Sequence, residues 1–161
     1  MVDMTLGMTA GSIRANHTMP RCGLAAGTTV LTLSGAVPVE FVAPGDRMIT
    51  RNGARTVVGV EISVVKNARV VRISEGVLGK DRPEADMIVS PKQPILVRDW
   101  RAKAIAGLTQ AVMAAEKLAD GEYIKVETVD EVRLVTLQFA EAEVIYAAGL
   151  ELGCDVATVE A

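Results

Sequence analysis

Turn signals cut this chain into short pieces, and their spacing restricts what it can fold into. Ser34-Gly35, Pro44-Gly45 and Asn52-Gly53 follow one another closely, with β-branched stretches between them. Those stretches are Thr28 to Leu33 (TTVLTL), Val37 to Val42 (VPVEFV) and Arg47 to Thr50. In Ala43-Pro44-Gly45-Asp46, proline pre-sets one turn position and glycine accepts the positive φ of the next. Asn52-Gly53 is a strong hairpin signal. Arg55 to Val65 and Ala68 to Ser74 are again rich in strand formers, and Gly76 to Asp86 (GVLGKDRPEAD) is a polar loop. Met87 to Ser90 and Ile95 to Arg98 read as strands on either side of Pro91. Tyr123 to Val129, Val132 to Phe139 and Glu143 to Ala148 read as three more, with Asp130-Glu131 as a tight turn between the first two. One segment, Gly107 to Leu118, spaces Ala and Met as a helix does and has Gly121 as its stop. The pattern predicts an all-β domain of short strands with one short helix.

Composition narrows the function classes. The chain has 161 residues, enough for one domain with a core of its own. Half of them are hydrophobic but only 3% are aromatic, so Val, Ile, Leu and Ala must fill that core. The formal net charge is -3 with no Lys/Arg cluster, which argues against nucleic acid as a partner. No apolar run approaches the ~20 residues that span a bilayer, so no membrane span is expected. Residues 1–21 lack the basic start and apolar block of a signal peptide. They read as a flexible tail, and the chain as cytoplasmic or exported without such a signal.

One histidine, His17, and two cysteines, Cys22 and Cys154, are present. His17 reads as a solvated tail residue. So few ligands give no zinc set, and no metal or cofactor is expected. Asp81, Glu84 and Asp86 do not have the spacing of an EF-hand calcium loop. The charged run around them reads as a solvated loop. Trp100 reads as a partly buried anchor.

Three segments in order carry a family resemblance. They are GLAAGTTVLTLSGAVPVEFVAPGDRMITRNG (Gly23 to Gly53), VSPKQPILVRDW (Val89 to Trp100) and VIYAAGLELGC (Val144 to Cys154). Together they resemble the Hint superfamily of Hedgehog autoprocessing proteins and inteins, most closely its stand-alone bacterial members. The resemblance implies a horseshoe of short strands over residues 22–154, with a short C-terminal tail at 155–161. It also implies a chemistry: a Cys or Ser at the first position attacks the preceding carbonyl, a histidine in the second segment protonates the released nitrogen, and a closing His-Asn pair frees the far end.

Carried over, the nucleophile's place falls on Gly23 and the histidine's place on Gln93. Ser90 keeps a Ser/Thr position, a further histidine place falls near Ala142 or Glu143, and the closing pair falls on Gly153-Cys154. Glycine offers no nucleophile, and glutamine cannot relay a proton near neutral pH as histidine does. The expectation is therefore a Hint-type domain without self-cleavage, serving as an interaction or scaffold module for a protein partner. The alternative is an autoprocessing domain that uses Cys22, one place upstream, as its nucleophile. A one-residue shift along a strand sends a side chain to the opposite face, which weighs against the alternative. The family chemistry needs the two ends together, so Gly23 and Leu152 are expected to be neighbours. Cys22 and Cys154 read as two ordinary thiols near those ends.

Overall fold

The computed structural model describes residues 12–157. Among these described residues, thirteen strands join in one hydrogen-bonded network, with a single short α-helix. They are β1 (Ser12–Asn16), β2 (Leu24–Ala25), β3 (Thr29–Thr32), β4 (Gly35–Pro38), β5 (Arg47–Thr50), β6 (Gly53–Thr56), β7 (Gly59–Ile73), β8 (Met87–Val89), β9 (Pro94–Val97), β10 (Ala111–Ala114), β11 (Ile124–Phe139), β12 (Glu143–Ala147) and β13 (Leu150–Val156). The helix, α1 (Trp100–Ala106), lies between β9 and β10. The mostly-β class and the one short helix are as expected.

Two hairpins near the N-terminus are built by the same device. In each, Thr32 or Thr50 closes the strand, two residues turn, and a glycine follows at positive φ, 108° for Gly35 and 92° for Gly53. Each threonine hydroxyl donates to the glycine carbonyl at 2.7 Å and accepts the amide of Ser34 or Asn52. Only glycine takes that backbone conformation without strain, so both glycines are placed by the turn.

The long strands β7 and β11 form an antiparallel ribbon, in register from Gly59↔Gln138 to Ile73↔Ile124. Along its other edge β11 receives β2 (Leu24↔Val135) and β13 (Gln138↔Asp155). This edge is where the start and the end of the domain come together. The core fills the space between the ribbon and the hairpins with Val, Ile and Leu, including Val30, Val71, Ile95, Val135, Ile145 and Leu152.

Four expectations change. The helix is not at 107–118 but at Trp100–Ala106. Asp99 caps its start, accepting from the Arg101 amide at 3.0 Å, and Gly107, at φ 74°, ends it. Ala111–Ala114 pairs with β9, and the 3₁₀ turn Ala115–Leu118 buries Ala115 and Leu118. Cross-strand pairing there overrides alanine's helical preference. Second, Asp130-Glu131 is not a turn: β11 runs through it, with Glu131 opposite Lys66. Third, Trp100 is 68% exposed; the buried partner is Arg101, whose guanidinium carbon lies 4.6 Å from the indole centroid. Fourth, part of the stretch expected as a tail is strand. β1 lies parallel to the edge of β7, from Ser12↔Gly59 to Asn16↔Ser63. Its Ile13 is 62% exposed, so backbone pairing holds it and no apolar pattern announces it. His17, just beyond, is exposed, with Nδ1 3.2 Å from the Val64 carbonyl oxygen. Among the described residues, no helix is long and apolar enough to cross a membrane.

Candidate functional site

The place to look is the meeting of the two ends on β11. Gln93 sits in the turn before β9, with its amide donating to the Ser90 carbonyl at 3.0 Å. Its side chain is 2% exposed. Oε1 accepts the Gly23 amide at 2.9 Å, and Nε2 donates to the carbonyls of Gly153 at 2.8 Å and Pro94 at 2.9 Å. The opposite amide orientation would set NH₂ against an N–H and oxygen against two carbonyls, so the network fixes which atom is which. One carboxamide thus spans the two ends, and Gly23 and the segment of Leu152-Gly153 are neighbours as expected.

The Cys22–Gly23 peptide is held on both sides. Its N–H donates to Gln93, and its carbonyl accepts from the Thr136 hydroxyl. Beyond it, the Gly23 carbonyl accepts the Ser90 amide at 2.9 Å. The Ser90 hydroxyl donates to the Pro20 carbonyl at 2.5 Å, upstream of the held bond. Thr136 escaped the sequence reading. Its signal was there: a hydroxyl residue inside the apolar run LVTLQF of a half-buried strand.

Gly23 is packed tightly. A Cβ there would stand 2.9 Å from Pro20 Cγ and 3.2 Å from Leu134 Cβ. Both thiols lie at the same junction. Cys22 is 3% exposed, with Arg21 Nη1 3.3 Å from its sulfur, and Cys154 is half-buried. Cys22, Gly23, Gln93, Gly153 and Cys154 line a common cavity of about 10 Å³, floored by Leu137 and Ile145. That is room for roughly one water.

Of the remaining predicted positions, Glu143 borders the junction but spends its carboxylate elsewhere. Glu143 is buried, in register with Cys154, and its carboxylate accepts from Asn52 Nδ2 at 3.0 Å and Thr50 Oγ1 at 3.3 Å. Arg55 Nε lies 3.4 Å away. Asp86 accepts the Glu75 amide at 2.8 Å, which ties its own loop. No group of three or more His, Cys, Asp or Glu converges to hold a metal ion among the described residues.

The family model described as "Hint domain" matches residues 22–154. The chain belongs to the Hint domain family. Among solved structures, it is similar to the bacterial intein-like domain from Clostridium thermocellum, at 20% identity and a TM-score of 0.59, over 82% of this chain and 96% of that one. It is also similar to a DnaB intein from Synechocystis sp. PCC 6803, at 9% identity and a TM-score of 0.58, over 84% of this chain and 99% of that one. The gp41-1 intein matches at 19% identity with a TM-score of 0.51, over 81% and 97%. At these identities the likeness is one of fold. No curated protein matches the chain.

Proposed function

We propose that this Hint domain keeps its two ends joined without cutting the chain, and serves as an interaction or scaffold module for a protein partner. The observation that carries the reading is Gly23. The resemblance puts it where the family chemistry needs a side chain, and a Cβ there would crowd Pro20 and Leu134. The polar groups around the Cys22–Gly23 bond support it. Gln93 accepts the Gly23 N–H, where the family chemistry requires a proton donated to that nitrogen. A carboxamide stabilises the bond as it stands and has no proton to give near neutral pH.

The second reading uses Cys22. Its sulfur lies 3.3 Å from a guanidinium nitrogen of Arg21. Attack would form a thioester with the carbonyl of Arg21 and open the Arg21–Cys22 bond. The bond held by Gln93 and Thr136 is the next one along, which favours the first reading.

Intact mass decides between them. The chain, expressed with a protein fused to its N-terminus, is incubated with dithiothreitol, which opens thioesters. The full mass is expected to persist. A fragment ending at Arg21, absent in Cys22→Ala, would establish the second reading instead.

A further inference from the structure

We propose that Cys22 and Cys154 form a modification site for low-molecular-weight disulfides, in which exchange converts the two thiols into one internal disulfide that locks the ends of the domain together. The two strand registers taken together, a shared cavity and a shared hydrogen-bond partner bring the two residues to one place. The β2 ladder pairs Ala25 with Leu134 and Leu24 with Val135, and counting on brings position 22 opposite Leu137. The β13 ladder pairs Gln138 with Asp155 and Phe139 with Val156, and counting back brings position 154 opposite the same Leu137. Cys22, Leu137 and Cys154 all line the small junction cavity. Finally, the single carboxamide of Gln93 bonds to Gly23 and to Gly153, the immediate neighbours of the two cysteines. A disulfide requires Cα atoms within about 7 Å, and the shared small cavity and the single bridging carboxamide draw the two residues toward that range.

The two thiols have unequal access, which sets the order of events. Cys154 is half-buried and reachable, whereas Cys22 is 3% exposed and next to the Arg21 guanidinium. The Cys154 thiolate attacks one sulfur of the small disulfide, forming a mixed disulfide and expelling one small thiolate. The Cys22 thiolate then attacks the Cys154 sulfur and expels the second small thiolate. One S–S bond forms and one breaks. The chain gives up two electrons and two protons, and the small disulfide leaves as two thiols. The product closes a loop that contains nearly the whole domain, where the unfolded chain loses most freedom.

The inference does not depend on whether the chain cleaves itself, because intact mass reports cleavage separately. The full chain, first reduced, is treated with oxidised glutathione and followed by mass and thermal unfolding. The expected product is a monomer lighter by two hydrogens, with a Tm higher by roughly 10 °C that dithiothreitol reverses. Cys22→Ser should stop with one glutathione on Cys154, and Cys154→Ser should stay unmodified while folded. If the unaltered chain stops at a stable mixed disulfide, adds two glutathiones or links to a second copy, the pair is not a site of this kind. An internal disulfide that leaves Tm unchanged would show that it does not lock the ends.

Discussion

Two regions of this molecule hold their polar groups in opposite ways. At the junction, Gln93, Thr136, Cys22 and Gly23 are buried and Gly153 is half-buried, and the hydrogen bonds of Gln93 and Thr136 to the three backbones are between uncharged groups. At the corner after β10, charged side chains do the holding at the surface. Glu116 meets Lys92 at 2.5 Å and Arg69 at 2.9 Å, and Asp120 accepts the amides of Glu122 and Tyr123 at 2.8 Å and of Ile124 at 3.0 Å. Buried polar groups are costly to leave unpaired, whereas exposed ones fall back on water. The junction should therefore matter far more to stability while responding little to pH or salt, and the corner should do the reverse.

The largest effect should come from Gln93→Ala. It strips the partner from the Gly23 amide and the Gly153 carbonyl at once and empties the space between them. Each orphaned buried group costs about 1–3 kcal/mol, so a loss of roughly 3 kcal/mol or more is expected in urea unfolding. A loss no greater than that of a surface alanine would break the contrast between the two regions. Gly23→Ala tests the same wall by volume. The added methyl meets Pro20 and Leu134 closer than ordinary contact, and overpacking of this kind typically costs about 1–3 kcal/mol. A neutral Gly23→Ala would mean that a side chain fits at position 23 after all, and would weaken the proposal that the chain does not cleave itself.

How much of this was legible follows from the same division. The hairpins around Gly35 and Gly53 were readable because the residues that make those turns are local and chemically particular. Gly23, Gln93 and Gly153, drawn from the three family segments, meet at one point through the Gln93 carboxamide, because turn glycines and apolar strand residues carry the scaffold. The junction's bonds were not readable. Thr136 reaches the Cys22 carbonyl across a gap of 114 residues in sequence, and no local pattern encodes that meeting. The stretch from Asp99 to Leu118 failed for a related reason. Its alanines suit a helix, but β9 lay ready as a strand partner, and Asp99 and Gly107 had already spent the helix signals one turn earlier. β1 went unseen because it offers β7 its backbone and leaves Ile13 in solvent.

Asp120 carries the pH dependence expected of the charged corner. The backbone amides of Ile124, Glu122 and Tyr123 hold its carboxyl below the usual value of 3.8. A carboxyl lowered by folding stabilises the fold when ionised, so its contribution is complete above that value and is lost as pH falls through the lower, folded one. Asp120→Ala should cost about 1 kcal/mol at pH 7, as loss of a side-chain cap does. The difference between the two chains should narrow steadily in unfolding series taken below pH 4, while the cost of Gln93→Ala at matched pH stays constant. A narrowing of the Gln93→Ala difference over the same range would mean the junction contains a titrating group.

The smallest effect belongs to Glu116. Lys92 and Arg69 hold its carboxyl below the usual range, chiefly through their hydrogen bonds. Yet their side chains are 66% and 56% exposed, so water and salt compete for every charge in the trio. Glu116→Gln keeps the shape and removes the charge. Its effect on urea unfolding should be slight at low salt, in the direction of destabilisation, and should vanish at about 1 M NaCl, where the screening length falls to about 3 Å. The same salt should leave the cost of Gln93→Ala unchanged, since no net charge takes part in the bonds that it breaks. If Glu116→Gln retained a clear cost in high salt, the carboxylate would be acting through geometry in the turn that buries Ala115 and Leu118. The corner would then be built as the junction is, by bonds that water cannot replace.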